Sequence, residues 1–328
     1  MVRIAVVGCG GIGQAHLRAY TALPGVEIVA CVDQDLEKAA AAAKAFGGLA
    51  VDSVKQIPAE TNGVRVVTPP HLHFGLVRDL LRRRFHVFCE KPLTMDVGEC
   101  QVLEAAAREV GCTLLVGFKM RFEPVFAKAR EFIPEIGPLH SVSSVKQQPY
   151  TPHPGLNWIP AVGAMYELSV HEFDLIHWLT ATRPVEVLHA RLEHRFNWSR
   201  EDAFALTVRY ANGMIGQLQG MYATDSTFKY RDLTLTFMGE KGYIRIERPD
   251  RIVIHTDDVR VETADPGTVN AFEAELAHFC QVIRGDASTT MGASAGVLAT
   301  ALIEAGNAAD DGQRPVRIGC DGSLGVAD

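Results

Sequence analysis

Over the first third of the chain, short apolar runs alternate with helix-length segments. The runs Val2–Val7, Glu27–Val32, Val64–Thr68, His86–Cys89 and Thr113–Gly117 are apolar throughout rather than alternating. That pattern predicts parallel strands covered on both faces. Between them, Ile12–Leu23, Leu36–Phe46, His71–Arg84 and Asp96–Val110 are long enough for helices. Strand and helix in strict rotation imply right-handed βαβ units and a doubly wound sheet.

Beyond about Arg121 the pattern changes. A helical segment at Glu123–Ile133 leads to a strand at Leu139–Lys146, then to an irregular stretch rich in Pro and aromatics that holds Tyr150, His153, Asn157 and Trp158. A strongly patterned helix is predicted over Met165–Leu179. Strands then follow in series: Val185–Glu193, Ala203–Tyr210, Met214–Tyr222, Asp232–Met238, Tyr243–Glu247 and Arg251–Thr256. Asn212-Gly213 between the second and third is a strong hairpin signal. Helices at Val269–Arg284 and Ala293–Ala309 and a strand at Val316–Ile318 close the chain. The expected architecture is α/β: a doubly wound domain over 1–120, then an α+β domain over 121–328 with an open, mostly antiparallel sheet. One face of that sheet would lack helices. Leu206, Val208 and Tyr210 would contribute to an apolar face there, seeking a second copy in a homodimer or homotetramer.

Composition narrows the function. The 328 residues are 47% hydrophobic and 22% charged, an ordinary globular mix. The net charge of −7 argues against nucleic-acid binding and against docking on anionic lipid. No apolar stretch is long enough to span a membrane. The seven cysteines are scattered without a C-x-x-C pair, as in a reduced cytoplasmic protein.

Gly8-Cys9-Gly10-Gly11-Ile12-Gly13 follows the first strand directly and opens the first helix. Asp33 lies twenty residues beyond Gly13, at the end of the next strand. In that context G-x-G-x-x-G is specific for a dinucleotide. Gly8 permits the turn, Gly10 lets backbone approach the diphosphate, and Gly13 lets helix and strand pack closely. Backbone N–H groups and the helix dipole hold the charge. Asp33 can accept the adenosine ribose hydroxyls and would repel a 2′-phosphate, so NAD is favoured over NADP. Asp35 is the better N-cap of the following helix.

Four further motifs stand at element ends. They are Thr68-Pro69-Pro70-His71-Leu72-His73, Glu90-Lys91-Pro92, the run from Val116 to Phe122, and Glu167-x-x-x-His171-x-x-Asp174. Together with the glycine loop, they resemble the glucose-fructose oxidoreductase / inositol dehydrogenase / rhizopine-catabolism family over nearly the whole chain. The resemblance implies NAD(P)-dependent oxidation or reduction of a carbinol carbon of a sugar, cyclitol or related compound. It implies that Lys91 lies beside nicotinamide and substrate, that Thr68, Pro69, His73 and Glu90 belong to the cofactor site, and that His171 handles the proton. Glu167 stands where the inositol-dehydrogenase branch has aspartate. Arg84 stands where a helix-ending glycine is common, and the glycine run ahead of the helix is reduced to Gly163-Ala164.

The residue chemistry agrees. Histidine titrates in the range a general base needs, and a carboxylate four residues earlier shares its helix face. Lys91 can polarise the reacting oxygen. Asp174 suits a substrate hydroxyl or the cofactor. Arg121 suits substrate or the domain junction, and Trp158 suits a polyol. A metal is not expected: Glu167, His171, Asp174 and His177 spread along about 15 Å of helix, too far for one ion to touch both ends. Two other functions remain open on this reading, an NAD-retaining glycosidase and a non-catalytic dinucleotide sensor.

Overall fold

The computed structural model describes residues 1–150, 157–223 and 232–326; His153 lies outside them. The chain forms two compact units, Met1–Lys119 with Asn270–Val297, and Met120–Val269 with Leu298–Asp328. The sequence reading drew a single boundary near residue 120; the chain returns to its first unit at Asn270.

The first unit runs β1 (Val2–Val7), α1 (Gly11–Ala22), β2 (Val26–Val32), α2 (Leu36–Phe46), β3 (Leu49–Val51), β4 (Gly63–Val66), α3 (His73–Arg82), β5 (His86–Cys89), α4 (Val97–Val110) and β6 (Leu114–Val116). Its strands are all parallel in the order β3-β2-β1-β4-β5-β6. The order reverses between β1 and β4, so the loops after β1, β4, β5 and β6 gather at one carboxyl edge, where open α/β sheets bind ligands. The ladder continues into those loops, with the Val67 N–H donating to the Val7 carbonyl (2.8 Å) and the Glu90 N–H to the Val66 carbonyl (2.9 Å). Asp35 caps α2, accepting from the Glu37 and Lys38 N–H groups. The helix before β5 ends on Arg84 in the left-handed region (φ 63°), the conformation for which glycine is usual.

The second unit holds α5 (Pro124–Phe132), β7 (Leu139–Pro149), α6 (Ile159–Ala164), a π-helical turn (Met165–Ser169), α7 (Val170–Thr180), β8 (Pro184–Glu193), β9 (Ala203–Tyr210), β10 (Ile215–Ala223), β11 (Asp232–Gly239), β12 (Gly242–Glu247), β13 (Arg251–His255) and β14 (Val259–Thr263). After α8 (Ala271–Arg284) and α9 (Ala293–Gly312) come β15 (Val316–Ile318) and β16 (Leu324–Val326). The sheet has ten strands in the order β14-β13-β12-β11-β7-β10-β9-β8-β15-β16. The β7–β10 pair is parallel and the other described pairs are antiparallel. The fold is therefore a doubly wound parallel sheet followed by an α+β unit with a mixed, mostly antiparallel sheet.

Leu206, Val208 and Tyr210 are buried, at most 2% exposed, rather than forming an open apolar face. A Cβ on Gly306 of α9 would lie 3.2 Å from Leu206, so this side of β9 is the helix-covered one. Strand alternation turns Ala205, Thr207 and Arg209 of β9 the other way, a largely polar set.

Helix α8 belongs to the first unit. A Cβ on Gly63 would meet Ile283 at 2.7 Å, and the Phe88 and Phe279 ring centroids are 5.3 Å apart. Among the described residues no helix is long and apolar enough to cross a membrane.

Candidate active site

The glycine loop is shaped by two close approaches and one opening. Gly8 has φ 100°, and a Cβ there would lie 2.7 Å from the Val67 carbonyl oxygen, across the strand-order reversal. A Cβ on Gly13 would lie 1.9 Å from the Gly8 oxygen. Gly10 has open space where a Cβ would go, and no side chain caps the start of α1. Gly10, Gly11 and Ile12 are exposed there, leaving helix-start N–H groups for an anion. Cys9 is buried, its side chain turned from this surface, and its N–H donates to an Asp33 carboxylate oxygen at 2.9 Å. The other Asp33 oxygen accepts from the Asp35 N–H at 3.0 Å. Half-buried Asp33 is therefore fixed against the glycine loop, with lone pairs remaining for ribose hydroxyls.

The neighbouring loops are tied to one another. His73 is fully buried and presents no surface to a ligand. Its ring nitrogens lie 2.9 Å from the Pro92 carbonyl and 2.8 Å from the Thr68 carbonyl, so it brackets the loops after β4 and β5. Burial lowers its pKa, and a neutral ring donates to one of the two. Thr68 and Lys91 are half-buried and Pro69 is exposed, in the loops this bracket joins.

Glu90 points back into the unit. Its carboxylate accepts from buried Arg65 and, at 3.1 Å, from the Lys91 N–H. The Arg65 Nε donates to His16 Nδ1 at 3.1 Å, its Nη2 is 3.6 Å from Glu275, and its guanidinium lies over the Phe88 ring. Burial works to raise the Glu90 pKa, but Arg65, then His16 and Lys91, hold it below the ordinary value. Burial, then Arg65, lowers His16 to about 3, and burial pushes Glu275 up to about 8. His16, Glu90 and Glu275 bring one ligand atom each within 4.8 Å of one another, as a metal site would. Arg65, in contact with all three, is the cation already there.

In the second unit, the predicted helix over Met165–Leu179 is broken into two forms. Gly163 (φ 86°) kinks the chain inside α6, and a Cβ there would lie 2.7 Å from Glu201. The next segment is capped from outside, the Glu201 carboxylate accepting from the Met165 N–H at 2.8 Å. A π-turn carries Glu167, and α7 carries His171. Such wide turns recur at functional sites. Glu167 is half-buried and its carboxylate accepts from the Tyr222 hydroxyl on β10. His171 is 7% exposed.

Asp174 and Arg121, both candidate ligand contacts from sequence, pair with each other. The Arg121 Nε and Nη2 donate to the two Asp174 oxygens at 2.7 and 2.5 Å, with both side chains buried. Burial raises the Asp174 pKa against the pull of Arg121. On the same helix, Glu172 pairs with buried Lys146 at 2.7 Å, and His177 Nδ1 lies 3.0 Å from the Thr182 carbonyl. Trp158 is half-buried at the turn into α6.

Sequence reasoning missed Arg65, Glu275, Glu201 and Tyr222. Arg65 had a signal, an arginine between Val64 and Val66 in a strand with no polar face.

Two family models cover most of the chain. One, described as an oxidoreductase family with an NAD-binding Rossmann fold, matches residues 2–118. The other, the C-terminal alpha/beta domain of the same family, matches residues 131–318. The chain belongs to the Gfo/Idh/MocA oxidoreductase family. Its first unit is the NAD-binding Rossmann domain. Inositol 2-dehydrogenase of Rhizobium meliloti strain 1021 is 26% identical over 320 residues, covering 93% of this chain and 95% of that protein. The rhizopine catabolism protein MocA of Rhizobium meliloti is 28% identical over 318 residues, covering 92% and 93%. The crystal structure of a myo-inositol dehydrogenase from Corynebacterium glutamicum ATCC 13032 superposes with a TM-score of 0.80 at 26% identity, covering 97% of this chain and 99% of that one.

Proposed function

We propose that this Gfo/Idh/MocA oxidoreductase is an NAD-dependent dehydrogenase of a CH–OH group on a cyclitol, sugar or sugar derivative. The observation that carries it is the full-length likeness to inositol 2-dehydrogenase, with Lys91, Glu167 and His171 standing at the motif positions. NAD, when bound, supplies the hydride acceptor. Gly8, Gly10, Gly11, Ile12 and Gly13 receive the diphosphate on backbone N–H groups, and Asp33 receives the ribose. Thr68, Pro69 and the Glu90–Lys91 loop complete the cofactor surface. His171 accepts the hydroxyl proton, Glu167 orients its ring, and the Lys91 ammonium steadies charge on the reacting oxygen. The Rossmann unit is the cofactor domain of this reading, and the mixed-sheet unit binds substrate and pairs with a second copy. The setting is cytoplasmic. His73 acts by holding two loops in register, and Asp174 with Arg121 by fixing the catalytic helix.

The test is NADH formation across a panel of myo-inositol, scyllo-inositol, hexoses and their derivatives. Net NADH from one of them is expected. Glycoside hydrolysis without net NADH would replace this reading with an NAD-retaining glycosidase, and NAD binding without turnover would replace it with a sensor.

A further inference from the structure

Four aromatic rings cluster in the second unit beside Glu167. The Trp198 centroid is 4.7 Å from that of Tyr150, 5.3 Å from Phe196 and 5.2 Å from Tyr222. The Tyr150 and Tyr222 centroids are 5.8 Å apart. Tyr222 is fully buried and its hydroxyl donates to Glu167. Tyr150, Phe196 and Trp198 keep part of their surface open.

The loop between β8 and β9 that carries Phe196 and Trp198 is held rigidly. Buried Asp202 accepts from the Arg195 Nε at 2.8 Å and from the Phe196 N–H at 2.7 Å. Arg195 also donates to the Tyr222 carbonyl at 2.6 Å. The Ser199 hydroxyl and the Arg200 N–H both donate to the Pro160 carbonyl, at 3.0 and 3.2 Å. A loop tied at both ends to β10 and to the segment leading into the catalytic helix presents its rings in a fixed place.

We infer that Trp198, with Phe196 and Tyr150, forms a stacking wall that binds the C–H face of the saturated ring carrying the reacting hydroxyl. This rests on the dehydrogenase reading and names its substrate class more closely: a ring whose equatorial hydroxyls leave a patch of axial C–H on one face. Such a ring has two kinds of surface. Its rim of hydroxyls suits the Glu167 carboxylate, and its C–H face, polarised by the neighbouring oxygens, suits the negative face of an aromatic ring. Tyr222 joins the two surfaces, its hydroxyl on the Glu167 carboxylate and its ring centroid 5.2 Å from that of Trp198. That adjacency suits the reacting ring rather than a remote group such as a nucleobase. The glycine loop and Asp33 play no part in it.

The experiment uses the full chain and two probes, scyllo-inositol and methyl β-glucoside. Saturation-transfer NMR reads which ligand hydrogens lie against aromatic protons, whether or not the ligand turns over. The expected result is transfer concentrated on the axial C–H hydrogens of at least one probe. It should be lost in Trp198→Leu and retained in Trp198→Phe, with NAD affinity unchanged in both. For any polyol that gives NADH, Trp198→Leu should raise KM about tenfold, with kcat less affected. Trp198→Leu keeps the position apolar, and an unchanged thermal midpoint confirms that the loop is intact; Phe196→Leu is the second variant if it is not. No transfer to either probe from wild type overturns the wall. So does equal transfer in Trp198→Leu, or displacement of both probes by uridine monophosphate through the same aromatic protons. Trp198-dependent transfer without NADH from any polyol would keep the wall and reject the dehydrogenase reading.

Discussion

The Tyr222 hydroxyl on β10 donates to the Glu167 carboxylate on the π-turn, so a sheet strand holds the carboxylate that the helix supplies. Removing that donor takes away one anchor of the carboxylate. In Tyr222→Phe turnover should fall several-fold. Glu167→Gln should move the acidic limb of the kcat profile to lower pH, because losing the negative charge disfavours the His171 imidazolium. The check on the pair is a double-mutant cycle: Tyr222→Phe should cost little further turnover in a Glu167→Gln background, and additive losses would separate Tyr222 from Glu167.

His171→Ala should lower turnover by roughly 10²–10⁴-fold, the usual loss for a general base. NAD affinity, measured by calorimetry, should stay within about twofold, because no cofactor residue changes. Near-wild-type turnover would shift the proton-transfer role to Lys91.

Asp33→Ser should weaken NAD and narrow its margin over NADP, since the carboxylate that repels a 2′-phosphate is gone. The Cys9 N–H also loses its acceptor, so some of the loss should persist with cofactor fragments lacking the adenosine ribose. Binding titrations with NAD, NADP and nicotinamide mononucleotide separate the two effects.

Arg121→Met should act on stability. It strands the buried Asp174 carboxylate, and breaking such a pair costs about 3–5 kcal/mol. The thermal midpoint should fall well before KM changes in the surviving folded enzyme. A KM effect at unchanged stability would return Arg121 to the substrate.

The buried cluster in the first unit should set two limits on stability with pH. His16 is lowered from its ordinary 6.5 to about 3, so the unfolded chain takes a proton that the folded chain refuses. Stability should fall as pH drops from about 6.5 toward 3, and His16→Asn should flatten that limb. Glu275 is raised from 4.5 to about 8, so the folded chain keeps a proton that the unfolded chain releases. Stability should also fall as pH rises through that window, and Glu275→Gln should flatten the alkaline side. Thermal midpoints across the pH range test both.

The doubly wound sheet was readable because its buried strands are continuous apolar runs and its turn glycines follow them. Strands β3 and β16, three residues each, and β14, whose side chains are mostly exposed, carry too little pattern to be seen. Helix face alone could not distinguish Asp174 from Glu167: both lie on the predicted helix, but Arg121 reaches one and Tyr222 the other from distant segments. Arg65 was visible as an oddity in its strand, yet its partners His16, Glu90 and Glu275 come from three different elements. The family resemblance implies a cofactor-site role for His73, and the carbonyls of Thr68 and of Pro92, nineteen residues later, give its buried ring two partners that no local pattern shows.

Helix α8 has a consequence for the order in which the protein is made. The Rossmann unit needs Phe279 against Phe88, Phe272 against His16, and Glu275 beside Arg65, and none of these exists until the ribosome has passed β7 to β14, eight of the ten strands of the second sheet. During synthesis the nascent nucleotide-binding half must wait with Arg65 and the Phe88 face uncovered, so the half that is begun first is completed only after most of the second unit has been made. A fragment ending at residue 120 would carry that exposed surface permanently, and a self-sufficient cofactor module has to be engineered by grafting residues 270–297 onto it.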